Sequence, residues 1–185
     1  AVILAVVDPG VGGERRALVA RAGDRWLVGP DNGLLAPALS VAGEDRRVWR
    51  IPIGEDVSAS FHGRDVFAPA AGLIASTGMP PGAETVSNWV GRDWPVDAAV
   101  VIYVDDFGNV MTGRYADALT QDESPVLPGV RRARTFGDVE VGGTLWYRNS
   151  MGLVEIAVNQ GSAAERYGLA IGDPVEFGRG SPGKG

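Results

Sequence analysis

Glycine and proline interrupt this sequence at short intervals, with 27 Gly and 12 Pro among 185 residues. Glycine frees the backbone to turn, and proline stops a helix or an interior strand. The chain is therefore predicted to fold as short strands joined by tight turns. With 45% hydrophobic and 22% charged residues it has the composition of a globular chain rather than a disordered one. No apolar run approaches the roughly 18 residues of a membrane span. The pattern of a secretory signal is missing too, so the expected compartment is the cytoplasm. A net charge of −6 argues against a nucleic-acid-binding surface.

Three near-absences narrow the chemistry. Without Cys there are no disulfides, thiolate nucleophiles or Cys-based zinc sites. The single Lys, Lys184, lies in a Gly-Ser-Pro tail, which removes a Schiff base and a P-loop lysine. The single His is His62, so imidazole chemistry runs through that residue and no His-rich metal site can form.

The chain opens on Ala1–Val7, an apolar run of the kind found in a strand buried on both faces. Such a strand needs neighbours and none precede it, so the sequence is expected to be the latter part of a longer protein. Strands are predicted at 17–22, 25–29 and 48–53, and helices at 34–41 and 66–77, the second with Asp65 as N-cap and Gly78 as its stop. A Pro- and Gly-rich stretch from Met79 to Pro95 marks the domain boundary. Beyond it the signals are nearly all β, at 98–104, 108–112, 131–135, 144–148, 153–158 and 174–177, the spacing of a small barrel or sandwich. The expected fold class is an incomplete α/β domain over residues 1–95, a small all-β, barrel-like domain over 96–178, and a flexible tail over 179–185.

Two segments in the first half carry chemistry. Asp8-Pro9-Gly10-Val11-Gly12-Gly13 follows a strand, where α/β proteins place ligand loops, yet it fails both the dinucleotide fingerprint and Walker A. It reads either as a ligand loop with Asp8 and Arg15 supplying charge, or as an ordinary strand-end loop capped by Asp8. Phe61-His62-Gly63-Arg64-Asp65 precedes a helix, so His62 is either a general base or a surface residue beside a capped helix. No G-x-S-x-G elbow accompanies it. In the second half, Asp105–Asn109 and Asn149–Gly152 read alone as turns, and Ser162 as a helix cap.

Together, five ordered motifs are not generic: Val6–Gly12, Gly29–Leu35, Phe61–Pro69, Asp106–Asn109, and Asn149–Gly152 with Glu155-Ile156-Ala157 and Gly161–Ala164. In these the chain resembles the S-adenosyl-L-methionine hydroxide adenosyltransferase family, hydrolytic relatives of the fluorinating and chlorinating enzymes. The resemblance runs from Val2 to about Phe177. It implies cleavage of S-adenosyl-L-methionine by water at ribose C5′, giving adenosine and L-methionine, with no metal and no cofactor. It also implies a homotrimer whose substrate sits between one subunit's N-terminal domain and its neighbour's C-terminal domain. The other readings are a halogenase of the same fold and a non-catalytic module that binds S-adenosyl-L-methionine or adenosine.

The family's Asp-Arg-His triad falls on Asp8, Arg15 and His62; Arg16 is adjacent, but Arg15 has the family's spacing. The halogenating relatives have Tyr at the position of Asp8, and the fluorinating ones Ser at that of Gly63, so the resemblance implies water as the nucleophile. Adenine contacts map to Asn109, Tyr147 and the backbone around Val158 and Gln160, with Phe107 and Phe61 as apolar walls. Methionine contacts map to Asp105 and Ser150. Met111 stands where the fluorinating enzyme has a stacking Trp, and Gly113 replaces a common Asn. The family's N-terminal segment, with an Asp that binds the ribose hydroxyls, is expected to precede this chain.

Overall fold

Short apolar runs between turn residues become short strands in the computed structural model, which describes residues 1–82 and 84–179. Two units divide the chain, Ala1–Val96 and Asp97 onward. Most of the tail expected over 179–185, with Lys184, lies outside the described residues.

The first unit is built on β1 (Val2–Leu4), β2 (Ala17–Ala22), β3 (Arg25–Pro30), α1 (Ala36–Val41), β4 (Arg46–Ile51) and α2 (Ala68–Thr77). Its sheet has the order β1-β3-β2-β4, with β1 parallel to β3 and the other pairs antiparallel. Alternate residues of β2 point to opposite faces. Ala17 and Val19 pack with Phe67, Ala70 and Ile74 of the α2 side, and Leu18 and Ala20 with Leu35, Leu39 and Trp89 on the other. The opening run departs from expectation. Only three of its residues, Val2–Leu4, form a strand, paired in parallel with β3.

The helix before Gly78 also begins differently. A single π-turn over Gly63–Phe67 leads into α2. Asp65 therefore sits inside the turn rather than capping it, and its carboxylate accepts two bonds from Arg64, at 2.5 and 2.9 Å. That guanidinium holds the Asp65 carboxyl below the ordinary carboxylate range. Gly78, at φ +72°, closes α2 with its N–H on the Ile74 carbonyl, as expected.

The second unit contains β5 (Ala98–Val104), β6 (Val110–Tyr115), β7 (Glu123–Pro125), β8 (Val130–Arg132), β9 (Thr144–Arg148), β10 (Leu153–Val158), α3 (Ala163–Tyr167) and β11 (Phe177–Arg179). Five strands form one sheet in the order β5-β6-β10-β9-β8, and β11 pairs with β7. The strand expected over 174–177 is divided between the two. Residues 172–175 exchange backbone bonds with β5, including Gly172 N–H to Val101 O and Val101 N–H to Asp173 O, both 2.8 Å, and the chain then runs into β11. Trp146, Ile156, Val154 and Val110 fill the core. Gly113 has a structural reason, since a Cβ there would lie 2.9 Å from the Ala98 carbonyl oxygen of β5. Ser162 caps α3 as expected, its hydroxyl accepting from Glu165 N–H at 3.1 Å. No helix among the described residues is long and apolar enough to cross a membrane.

Candidate active site

The chain leaves β1 alongside β3, where Ala5 N–H donates to Val28 O at 2.9 Å. Gly29 allows this approach, since a Cβ there would lie 2.3 Å from the Ala5 carbonyl oxygen. One step later the Asn32 amide donates to the Val7 carbonyl at 2.8 Å, fixing the backbone just before Asp8. The loop then folds back with Val11 N–H on Asp8 O and Gly13 N–H on Gly10 O. Gly12, at φ +76°, lies so close to Ala59 that an added Cβ would sit 2.5 Å from its carbonyl oxygen. That contact joins the Asp8–Arg16 loop to the segment leading into His62.

Three side chains converge there. Arg15 Nε donates to Asp8 Oδ1 at 2.8 Å and its Nη2 to Asp8 Oδ2, a bidentate pair. The same Nη2 lies 2.7 Å from Nδ1 of His62. The Asp8 and Arg15 side chains are 6% and 9% exposed, and His62 is buried. Arg15 also lies over the Phe67 ring, 5.1 Å from its centroid. Its Nη1 is buried and finds no partner among the described residues. Arg16 points elsewhere. It pairs with buried Asp31 and donates to the Asn88 carbonyl at 2.7 Å, leaving Arg15 as the arginine of the cluster. Phe61 is 57% exposed beside it, and Gly63 faces Val6, whose Cγ1 would lie 3.8 Å from an added Cβ.

This geometry assigns hydrogen-bonding roles. A guanidinium has donors only, so Nδ1 of His62 accepts and the ring carries its proton on Nε2. His62 thus offers an N–H, while Asp8 keeps lone pairs to accept a proton. The arrangement can orient and deprotonate a water.

The second unit holds a cavity of about 710 Å³, in the usual range for small-molecule sites. Asp105, Phe107, Asn109, Tyr147, Val158 and Gln160, all expected substrate contacts, line it. Phe136, Glu155 and Gly161 complete the lining and were missed as site residues. Glu155 belongs to the Glu155-Ile156-Ala157 motif, and the structure sets it across the ladder from Tyr147. Met111 and Ser150 do not line the cavity. Met111 pairs with Glu155 on β6, and Ser150 is an exposed residue of the turn before β10. Asp105 shapes the rim, with Oδ1 accepting from the N–H groups of Phe107 and Asn109 at 3.0 and 2.8 Å and Oδ2 from the Asn109 amide at 2.8 Å. Glu155 accepts from the Tyr147 phenol and, at 3.0 Å, from the Asn149 amide. Burial, helped by the Glu155 carboxylate, pushes the Tyr147 phenol well above its ordinary value, so it stays a donor. Gln160 has φ +57°, the one positive value of a non-glycine residue among those described.

No group of three or more His, Cys, Asp or Glu that could hold a metal occurs among the described residues. A second cavity, of about 770 Å³, lies between Trp26, Trp49 and the loop after α2, and contains none of the expected site residues.

The SAM hydroxide adenosyltransferase N-terminal domain model matches residues 1–86, and the C-terminal domain model matches residues 99–176. The first match assigns residues 1–86 to the family's N-terminal domain. The (R)-S-adenosyl-L-methionine hydrolase of Salinispora tropica is 42% identical over 94% of this chain and 73% of its own length. The protein of the same name from Thermus thermophilus is 40% identical over 96% and 75%. A crystal structure of an uncharacterized conserved protein from Thermotoga maritima superposes with a TM-score of 0.74 at 31% identity, covering 96% of this chain and 76% of that one.

Proposed function

The chain belongs to the SAM hydroxide adenosyltransferase family, and we propose that it hydrolyses S-adenosyl-L-methionine to adenosine and L-methionine with Asp8, Arg15 and His62 as the catalytic residues. The observation that carries the assignment of roles is the buried hydrogen-bonded cluster these three side chains form in the first unit.

The chemistry asks for a water made nucleophilic without free hydroxide, since bulk water has a pKa near 15.7. His62 donates from Nε2 to the water oxygen and sets its orientation. Asp8 accepts the proton as the oxygen attacks C5′ of the ribose. The C5′–O bond forms as the C5′–S bond breaks, and the electron pair leaves with sulfur, converting the sulfonium to the neutral thioether of methionine. Arg15 holds both partners and keeps positive charge beside the developing hydroxide. A positive leaving group and a nucleophile with growing negative charge annihilate each other's charge, so exclusion of water favours the step.

The cavity of the second unit is read as the nucleoside site, with Asn109, Tyr147 and the backbone near Val158 and Gln160 on the adenine and Asp105 toward the methionine end, while Ser150 and Met111 lie outside its lining. Backbone bonds linking β5, residues 172–175, β11 and β7 support reading this domain as barrel-like. A homotrimer with the two half-sites meeting at a subunit interface, working in the cytoplasm, completes the proposal.

The test is product analysis. Purified chain incubated with S-adenosyl-L-methionine is expected to release adenosine and methionine in equal amounts, and Asp8→Ala to abolish this while still binding ligand. Tight binding with no product from the wild type would reduce the protein to a binding module.

A further inference from the structure

Among the described residues lining the cavity of the second unit there are two carboxylates, Asp105 and Glu155, and no Arg, Lys or His. Their hydrogen-bond partners are all neutral. Asp105 is held by two backbone N–H groups and an amide, and Glu155 by a phenol and an amide. Neither enters an ion pair among the described residues. Two negative charges thus face a half-buried space with aromatic walls, Phe107, Phe136 and Tyr147, and nothing cationic to offset them. Charges in such a space act more strongly than in water.

The geometry points to Glu155 as the residue that makes this cavity select a sulfonium nucleoside over a neutral one. Asp105 already has three donors and organises the turn into β6, whereas Glu155 sits mid-strand on β10, directly across from Tyr147. Its carboxylate is not needed to terminate a strand or cap a helix. The inference rests on the hydrolase reading above and deepens it. S-adenosyl-L-methionine carries a positive sulfur that its nucleoside product lacks, so a fixed negative charge retains substrate and lets product go. Tyr147 and Asn149 hold the carboxylate in place, and Tyr147 remains protonated to do so.

The experiment compares S-adenosyl-L-methionine with S-adenosyl-L-homocysteine, which lacks the methyl group and the sulfur charge, by calorimetry on the full chain in an Asp8→Ala background that spares the ligand. Glu155→Gln is expected to weaken the sulfonium ligand on the order of tenfold and the neutral one less than twofold. Retained homocysteine-ligand affinity shows that the pocket is intact. Tyr147→Phe, which loosens the carboxylate and keeps its charge, is expected to lower the preference for the sulfonium ligand by less than Glu155→Gln does. Equal losses of both ligands in Glu155→Gln, leaving their ratio unchanged, would overturn charge selection and leave the hydrolase reading standing. A chain that binds neither ligand overturns the hydrolase reading itself, and charge selection with it.

Discussion

Nη2 of Arg15 lies 2.7 Å from Nδ1 of His62, and because a guanidinium cannot accept, the contact fixes the imidazole as the tautomer protonated on Nε2. A His62 in that tautomer works as a donor. Glutamine can place an amide N–H near the Nε2 position, so His62→Gln is expected to keep at least about tenfold more turnover than His62→Ala. The Ala variant is expected to lose about two to four orders of magnitude. Equal losses in steady-state assays would instead make the ring a base.

Arg15 has a structural duty as well. It pairs with Asp8 where both side chains are more than nine-tenths buried. Removing one partner of such a pair leaves an uncompensated charge and costs about 3–5 kcal/mol. Arg15→Ala is expected to lower unfolding stability by that order in urea titrations and turnover by about 10²–10³. Arg15→Lys restores charge but not the planar fork, so it should recover stability only in part and leave turnover low.

Much of this was legible in the sequence, and the parts that were not have physical reasons. Asp8 and His62 fall in ordered motifs, Arg15 follows Asp8 by seven residues, and the fold brings the three together. The strands over 17–22, 98–104, 144–148 and 153–158 follow from apolar runs bounded by turn residues. The length of β1 was not legible, because the apolar run Ala1–Val7 does not mark where pairing with β3 stops. Asp65 was misread because a helix that begins with a π-turn moves its first residue upstream, which composition does not encode. Glu155 was passed over because, between Val154 and Ile156 on a strand, its side-chain direction becomes meaningful only once the register with Tyr147 is known.

Gly12 joins the two loops of the cluster. Alanine there must adopt φ +76° and push a Cβ to 2.5 Å from a backbone carbonyl. The left-handed conformation alone costs about 1–2 kcal/mol. Gly43, at φ +59° with nothing within 4 Å of an added Cβ, isolates that conformational part. Gly43→Ala is expected to lower the melting temperature by a few degrees and leave turnover unchanged. Gly12→Ala should melt lower still and lose at least about tenfold in rate, because Asp8 and Arg15 shift against His62. Equal rates in the two variants would mean that the Gly12–Ala59 contact does not position the cluster.

In the proposed mechanism the choice between water and halide turns on the charge of Asp8. A carboxylate near the attacking atom can accept a proton from water, which makes hydrolysis possible, and it repels an incoming anion. At about 4 Å and an effective dielectric constant near 20, two like charges repel by about 4 kcal/mol. The positive charge of Arg15 offsets part of this, but its fork is already engaged by Asp8. Turnover in molar chloride is therefore expected to yield adenosine at the salt-free rate within about threefold, with 5′-chloro-5′-deoxyadenosine below about 1% of product by mass spectrometry. Chlorinated nucleoside forming in proportion to chloride would show that the anion reaches C5′ despite Asp8, and would assign the cluster to halide rather than water transfer.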